Sequence, residues 1–169
     1  MTLEKCLNIC TVVLIVVVGG NSLYARLESA RRRELSLPYH TGDTVMDTAD
    51  LRLASADVSL VLTTASTCYF CTVSLPVYEK VTASAVATGV RVIAVTTEDP
   101  QVNREYLETH RIKTDAVLSA KQNGIVVKGT PALMLLDRSG RVLYQWLGKL
   151  APEQEREVTQ AMAIRKLTN

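Results

Sequence analysis

The sequence predicts an α/β layer fold in one soluble domain, placed behind an apolar N-terminal segment. Three observations carry that expectation. Strand-like apolar runs alternate with helix-like stretches from residue 58 to about 118, a strand–turn–strand pattern and a last helix follow, and the first 25 residues form an apolar segment without charge from Cys6 to Ala25. A length of 169 residues and 18.5 kDa suits one domain with its own core. With 47% hydrophobic and 21% charged residues, the chain does not have the composition of a disordered one. Nineteen Lys and Arg against 17 Asp and Glu leave a net charge of +2, which gives no electrostatic reason to expect nucleic acid as a partner.

Residues 1–25 form the apolar segment. From Cys6 to Ala25 no charged residue occurs, and a helix of about 20 apolar residues is what a bilayer crossing needs. The expectation is an N-terminal membrane anchor. The alternative is a cleaved signal peptide, whose apolar region would be the shorter Thr11–Val18 stretch, although no Ala-x-Ala site follows it. Residues 26–41 read as a polar linker. Arg26, Arg31, Arg32 and Arg33 follow the segment and only Lys5 precedes it, so a strict positive-inside count places the domain in the cytoplasm. Three of those arginines lie well past the span and fit a solvated helix over 26–35, so charge alone leaves topology open.

The domain occupies residues 42–169. A short extended piece is expected at Thr44–Leu53, then a buried strand over Val58–Thr63 and a loop at Thr64–Thr67. A helix runs from about Cys68 to Thr88 and stops at Gly89. A β-rich run covers Val90–Thr96, Pro100 stands where a helix begins, and Gln101–His110 is helix-like. A short strand near Ala116–Leu118 precedes a loop at Asn123-Gly124. Pro131–Leu136 and Arg141–Trp146, joined by Asp137-Arg-Ser-Gly140, form a hairpin. The last helix, Pro152–Leu167, opens with Pro and acids and closes with Arg165 and Lys166, in agreement with the helix dipole.

Cys68-Tyr69-Phe70-Cys71 follows a buried strand and opens a helix. A thiol there faces free backbone N–H groups and the positive end of the dipole, so its thiolate is favoured. Two intervening residues let the second sulfur reach the first. Cys68 is therefore the candidate exposed nucleophile and Cys71, one turn inward, the candidate resolving thiol. A zinc site would need two more ligands, and only Cys6, Cys10, His40 and His110 are on offer, so no metal site is expected. Two unrelated buried cysteines are the competing structural reading.

These residues together resemble the thioredoxin fold: a strand, C-x-x-C, Pro76 five positions after Cys71, and Gly129-Thr130-Pro131 opening a hydrophobic strand. Leu136-Asp137-Arg-Ser-Gly140-Arg-Val, together with Gly42-Asp43 upstream, is similar to the redoxin branch of membrane-anchored oxidoreductases, TlpA-like and ResA-like. The resemblance covers about residues 40 to 167, and the stretch between Cys71 and Pro131 has room for the strand–helix unit that this branch inserts. It implies a central mixed sheet flanked by helices, a cis bond before Pro131, and no cofactor other than a redox-active Cys68–Cys71 disulfide. It also implies that the Thr130 backbone pairs with an extended substrate segment, that Tyr69 and Phe70 form an apolar rim against substrate, and that Pro76 kinks the helix. Its partners would be proteins with disulfides or thiols, a membrane reached through the N-terminal helix, and a membrane thiol electron carrier.

The sequence departs from the pattern where an acid–base residue usually stands. Leu62 occupies the position of the buried thioredoxin acid, Ser74 that of the ResA-like glutamate, and Thr67 replaces the Trp before the first cysteine. Glu79, two turns along the helix, reads as a solvated charge. The function expected is thiol–disulfide exchange with other proteins, outside the cytoplasmic membrane where disulfides persist. The alternative is a non-enzymatic assembly factor or metallochaperone holding a client or Cu(I) through the same thiols.

Overall fold

The computed structural model describes residues 38–167, with side chains through Ala163, and before them only Gly19, Gly20 and Tyr24. The anchor, signal-peptide and linker readings of residues 1–37 otherwise fall outside the described residues. Among the described residues no helix is long and apolar enough to cross a membrane.

From Pro38 onward the chain forms five strands and three helices. In order they are β1 (Val58–Thr63), α1 (Tyr69–Thr88), β2 (Arg91–Thr96), α2 (Pro100–Thr109), β3 (Ala116–Ser119), β4 (Ala132–Asp137), β5 (Val142–Leu147) and α3 (Pro152–Leu167). The sheet runs β3-β2-β1-β4-β5, with β1, β2 and β3 parallel and β4 and β5 antiparallel to their neighbours. The mixed sheet follows from the connections. Helices bridge β1 to β2 and β2 to β3, which permits parallel pairing, whereas a tight turn joins β4 to β5 and forces a hairpin.

All six residues of β1 are buried, the small polar Ser59 and Thr63 included, so the strand is covered on both faces rather than on one. Its side chains still divide by the period of two. Leu60 and Leu62 join Leu133 and Leu135 of β4 in one core, with Tyr78, Val81 and Ala85 of α1 and Val158, Ala161 and Met162 of α3. Val61 joins Ile93, Val95, Met134 and Leu136 in the other, covered by Val45, Leu51, Leu53 and Ile125. Each fully buried leucine contributes about 1.5–3 kcal/mol relative to exposure.

The second core is covered by chain that the sequence misrepresents. Thr44–Leu53 is not an extended piece. Thr44 makes one isolated bridge to Arg141, and the chain then curls into a 3₁₀ turn at Leu53–Ser55. The Asp47 carboxylate accepts the Leu53 N–H at 2.8 Å and the Thr48 hydroxyl accepts the Leu51 N–H at 3.1 Å. Short polar side chains thus give the backbone partners that a ladder would otherwise supply. Gly140 makes this packing possible. Its φ is +83°, and a Cβ there would stand 2.2 Å from the Val45 carbonyl oxygen.

The helix boundaries follow local chemistry. Gly89 closes α1 in the left-handed region, its N–H returning to the Ala85 and Val86 carbonyls. Asp99 caps α2 by accepting the Gln101 N–H at 2.7 Å, and Pro100 fills the first helical position. In the hairpin turn, Asp137 Oδ1 accepts N–H groups from Ser139 and Arg141 at 2.8 and 3.0 Å. Helix α1 continues unbroken through Pro76.

Candidate active site

Strand β1, the middle strand of the sheet, delivers the chain to the end of the sheet at Thr63, where the 64–67 loop turns it into α1. Cys68 is not the first helical residue but the N-cap: its sulfur accepts the Cys71 N–H at 3.1 Å, as a capping serine oxygen would. The sulfur also lies 3.4 Å from the Thr130 carbonyl oxygen, to which the thiol donates. The peptide between Thr130 and Pro131 is cis, as the resemblance implies. C-x-x-C and Thr130-Pro131, about sixty residues apart in sequence, therefore meet at one sulfur atom.

The two thiols differ in access and in acidity. Cys68 is partly exposed, whereas Cys71 is fully buried. Burial works against the Cys68 thiolate. Hydrogen bonds from Cys71, Thr130 and the Cys71 and Phe70 backbone outweigh it, so the pKa is lowered. Burial first, then the neighbouring Cys68, pushes the Cys71 thiol up to about 12. The backbone of Ala65 and the side chain of Thr130 pull the other way without prevailing. Tyr69 and Phe70 flank the pair at 73% and 59% exposure, their rings edge-to-face at 5.6 Å. Two large aromatic side chains are thus left in water beside the Cys68 sulfur, at the positions where the resemblance implies an apolar rim.

The other sequence-level expectations can be placed one by one. Leu62 is a core residue, and the Ser74 hydroxyl donates to the Phe70 carbonyl at 2.7 Å. Glu79 is exposed. His110 caps the C-terminal end of α2, its Nδ1 2.8 Å from the Tyr106 carbonyl oxygen. Among the described residues no group of three or more His, Cys, Asp or Glu converges, so Cys68 and Cys71 are the soft ligands a metal would find. A groove between α1 and α3, lined by Lys80, Val81, Pro152 and Arg156, includes neither cysteine.

One carboxylate near the site was missed. Glu98, between β2 and α2, accepts the Ser66 N–H at 2.7 Å and the Ser66 hydroxyl at 2.8 Å. Its Oε1 also accepts Asn103 Nδ2 at 2.8 Å, and Asn103 in turn accepts the Thr64 hydroxyl at 2.9 Å. Burial opposes the ionised form of Glu98, but these donors prevail and hold its pKa below the usual carboxylate range. The local sequence, Glu98-Asp99-Pro100, signals only a helix start. Nothing in it points thirty residues back to the cysteine loop.

Sheet order, the helix-opening cysteine pair and the cis-proline beside it together define a thioredoxin-like fold. No protein-family model matches the chain, and no curated protein matches it in sequence. Solved structures do. One, assigned as thiol:disulfide interchange protein DsbE from Chlorobium tepidum, is 24% identical with a TM-score of 0.57, over 75% of this chain and 98% of that one. The thioredoxin domain of a thiol-disulfide oxidoreductase from Bacteroides vulgatus is 17% identical at TM-score 0.57, over 73% of this chain and 99% of its own. A thio-disulfide isomerase from Thermus thermophilus is 20% identical at TM-score 0.54, over 73% and 97%. At these identities the likeness is one of fold.

Proposed function

We propose that this chain exchanges disulfides with other proteins through Cys68 and Cys71. The observation that carries the reading is the division of labour between the two sulfurs: an accessible thiol with a lowered pKa caps the helix, and a buried one with a raised pKa stands a turn behind it. The Cys68 thiolate attacks a partner's disulfide, forming a mixed disulfide and releasing one partner thiolate. Cys71, once deprotonated, attacks the Cys68 sulfur, forming the Cys68–Cys71 disulfide and releasing the second thiolate. Two electrons pass to the partner, and the reverse sequence oxidises a partner dithiol.

Tyr69 and Phe70 offer apolar contact to a partner segment. Thr130, with its carbonyl 3.4 Å from the Cys68 sulfur, is placed to pair with an extended backbone and bring its disulfide to the nucleophile. That the structurally similar proteins include a thiol:disulfide interchange protein and a thio-disulfide isomerase supports the same chemistry. In this reading residues 1–25 tether the domain to the outer side of the cytoplasmic membrane, where a membrane thiol carrier exchanges electrons with it.

Reduction of insulin by the reduced chain, with Cys68→Ser as control, tests the activity. Turnover by the wild type and none by the variant is expected, and equal behaviour of the two refutes the reading. An alkaline phosphatase fusion at the C-terminus tests the location, and an inactive fusion in intact cells refutes it.

A further inference from the structure

The apolar rim beside the cysteine pair does not end at Tyr69 and Phe70. Among the described residues from Pro38 onward six large apolar side chains are left exposed, and a third of this set, Val102, belongs to the same surface at 49% exposure. Two contacts fix helix α2 next to the first turn of α1. At one end Glu98, just before α2, accepts the N–H of Ser66, two residues ahead of Cys68, at 2.7 Å. At the other end the hydroxyls of Tyr106 and Thr72 share a hydrogen bond at 3.2 Å. Val102 lies between these ties. Residues four apart share one flank of a helix, so Val102 stands on the flank of α2 that Tyr106 turns toward α1. On α1, Tyr69 and Thr72 are three apart and share a flank for the same reason. Scattered exposed apolar residues need no explanation, but a continuous set beside a reactive sulfur does.

We propose that Val102, over the floor made by Thr72 and Tyr106, is a second subsite for the partner protein and takes an apolar side chain two positions from the partner's reactive cysteine. The proposal rests on the exchange reading given above and adds the sequence that such a partner carries. The covalent step itself brings the occupant. A disulfide to Cys68 holds the two Cα atoms about 5.5–6 Å apart, so the partner's backbone passes within about one helical turn of Thr72. In an extended segment the side chains next to the cysteine point away from this surface. Those two positions from it share its face, about 7 Å along the chain. A step of that length leads from Cys68 over Thr72, one turn into α1, to the Val102 flank of α2. An apolar side chain there removes Val102 from water, whereas a polar one leaves it wet. Backbone pairing at Thr130 is open to any partner, so Val102 supplies choice among partners.

The test uses two symmetric peptide disulfides, each a dimer of a short glycine-rich peptide with one central cysteine. One carries leucine two positions to either side of the cysteine and the other carries serine there. Each is mixed in excess with the reduced full-length chain. The peptide disulfide takes up two electrons and gives two peptide thiols as Cys68–Cys71 closes, and the thiols are quantified after acid quenching. The readout is the ratio of the leucine rate to the serine rate, which cancels any change in the reactivity of Cys68 itself. The wild type should favour the leucine peptide about tenfold. Val102→Gln, neutral and fully able to stay helical, should lower the ratio about fivefold, the scale of covering half a valine side chain. Val102→Leu should hold or raise it. Val86→Gln is the control, because Val86 is equally exposed at 50% but lies about 27 Å along α1 from Cys68, and it should leave the ratio unchanged. A wild type that does not distinguish the peptides overturns the proposal. So does a ratio that survives Val102→Gln, parallel slowing of both peptides included, or one that Val86→Gln lowers as much. A wild type that reduces neither peptide refutes the exchange reading itself, which keeps the two failures apart.

Discussion

If the Cys68–Cys71 site works by a division of labour, the two thiols of the reduced chain must differ in alkylation rate by orders of magnitude. The perturbation is iodoacetamide at pH 7, which consumes thiolate and not thiol. With a pKa of about 12, Cys71 is thiolate to only about one part in 10⁵ at that pH. An ordinary thiol is thiolate to about 1% or more at that pH, and Cys68 is shifted further toward the ionised form by its hydrogen bonds. The ratio is at least about a thousandfold before the complete burial of Cys71 is counted. Quenching at timed intervals and quantifying the two modified residues by mass spectrometry measures it directly. Cys68→Ser sharpens the test. Burial is the larger cause of the Cys71 shift and the neighbouring sulfur the smaller one, so Cys71 in that variant should still label more slowly than Cys68 does in the wild type. Comparable labelling of both cysteines in the native chain would falsify the assignment of nucleophile and resolving thiol.

Two further perturbations test the frame around the site. In the reduced protein, burial favours the neutral Cys71 thiol, so its folded pKa of about 12 stands above the ~8.5 of an unfolded chain. That stabilisation is whole below about pH 8.5 and drains away as pH rises toward about 12. Cys68, shifted the opposite way, has its contribution complete above its unfolded value and adds no slope there. Urea titrations from about pH 8 to pH 10 should show the reduced form losing stability faster than the oxidised one, and parallel curves would contradict the burial argument. Gly140→Ala places a methyl group 2.2 Å from the Val45 carbonyl oxygen at a φ of +83°. Destabilisation by about 2 kcal/mol or more is expected, seen as a fall of several degrees in Tm, and an unchanged Tm would mean the Val45 segment is not held against the hairpin.

Much of the architecture was legible in one dimension because it rests on local chemistry. Val58, Leu60, Val61 and Leu62 in a six-residue run announce a strand buried on both faces, Gly89 a helix end, and Asp99-Pro100 a helix start. Cys68 and Cys71 were legible for the same reason, since a helix N-terminus acts on its own first residues. Thr44–Leu53 was misread because its apolar residues mimic a strand, while Asp47 and Thr48 bond the backbone into turns.

The sequence by itself determined the order of strands and helices, the position of the cysteine pair at a helix start, and the proline that accompanies it. These depend on periodicity, capping and turn residues, all of which act within a few positions of the chain. Tertiary structure alone decided which atoms reach the sulfurs. It set the Thr130 carbonyl 3.4 Å from Cys68, buried Cys71 completely, and aimed Glu98 at Ser66 across thirty-two positions of sequence. The physical reason is range: the acidity of a thiol depends on burial and on donors within a few ångströms, and sheet pairing brings those donors together from segments with no local pattern in common.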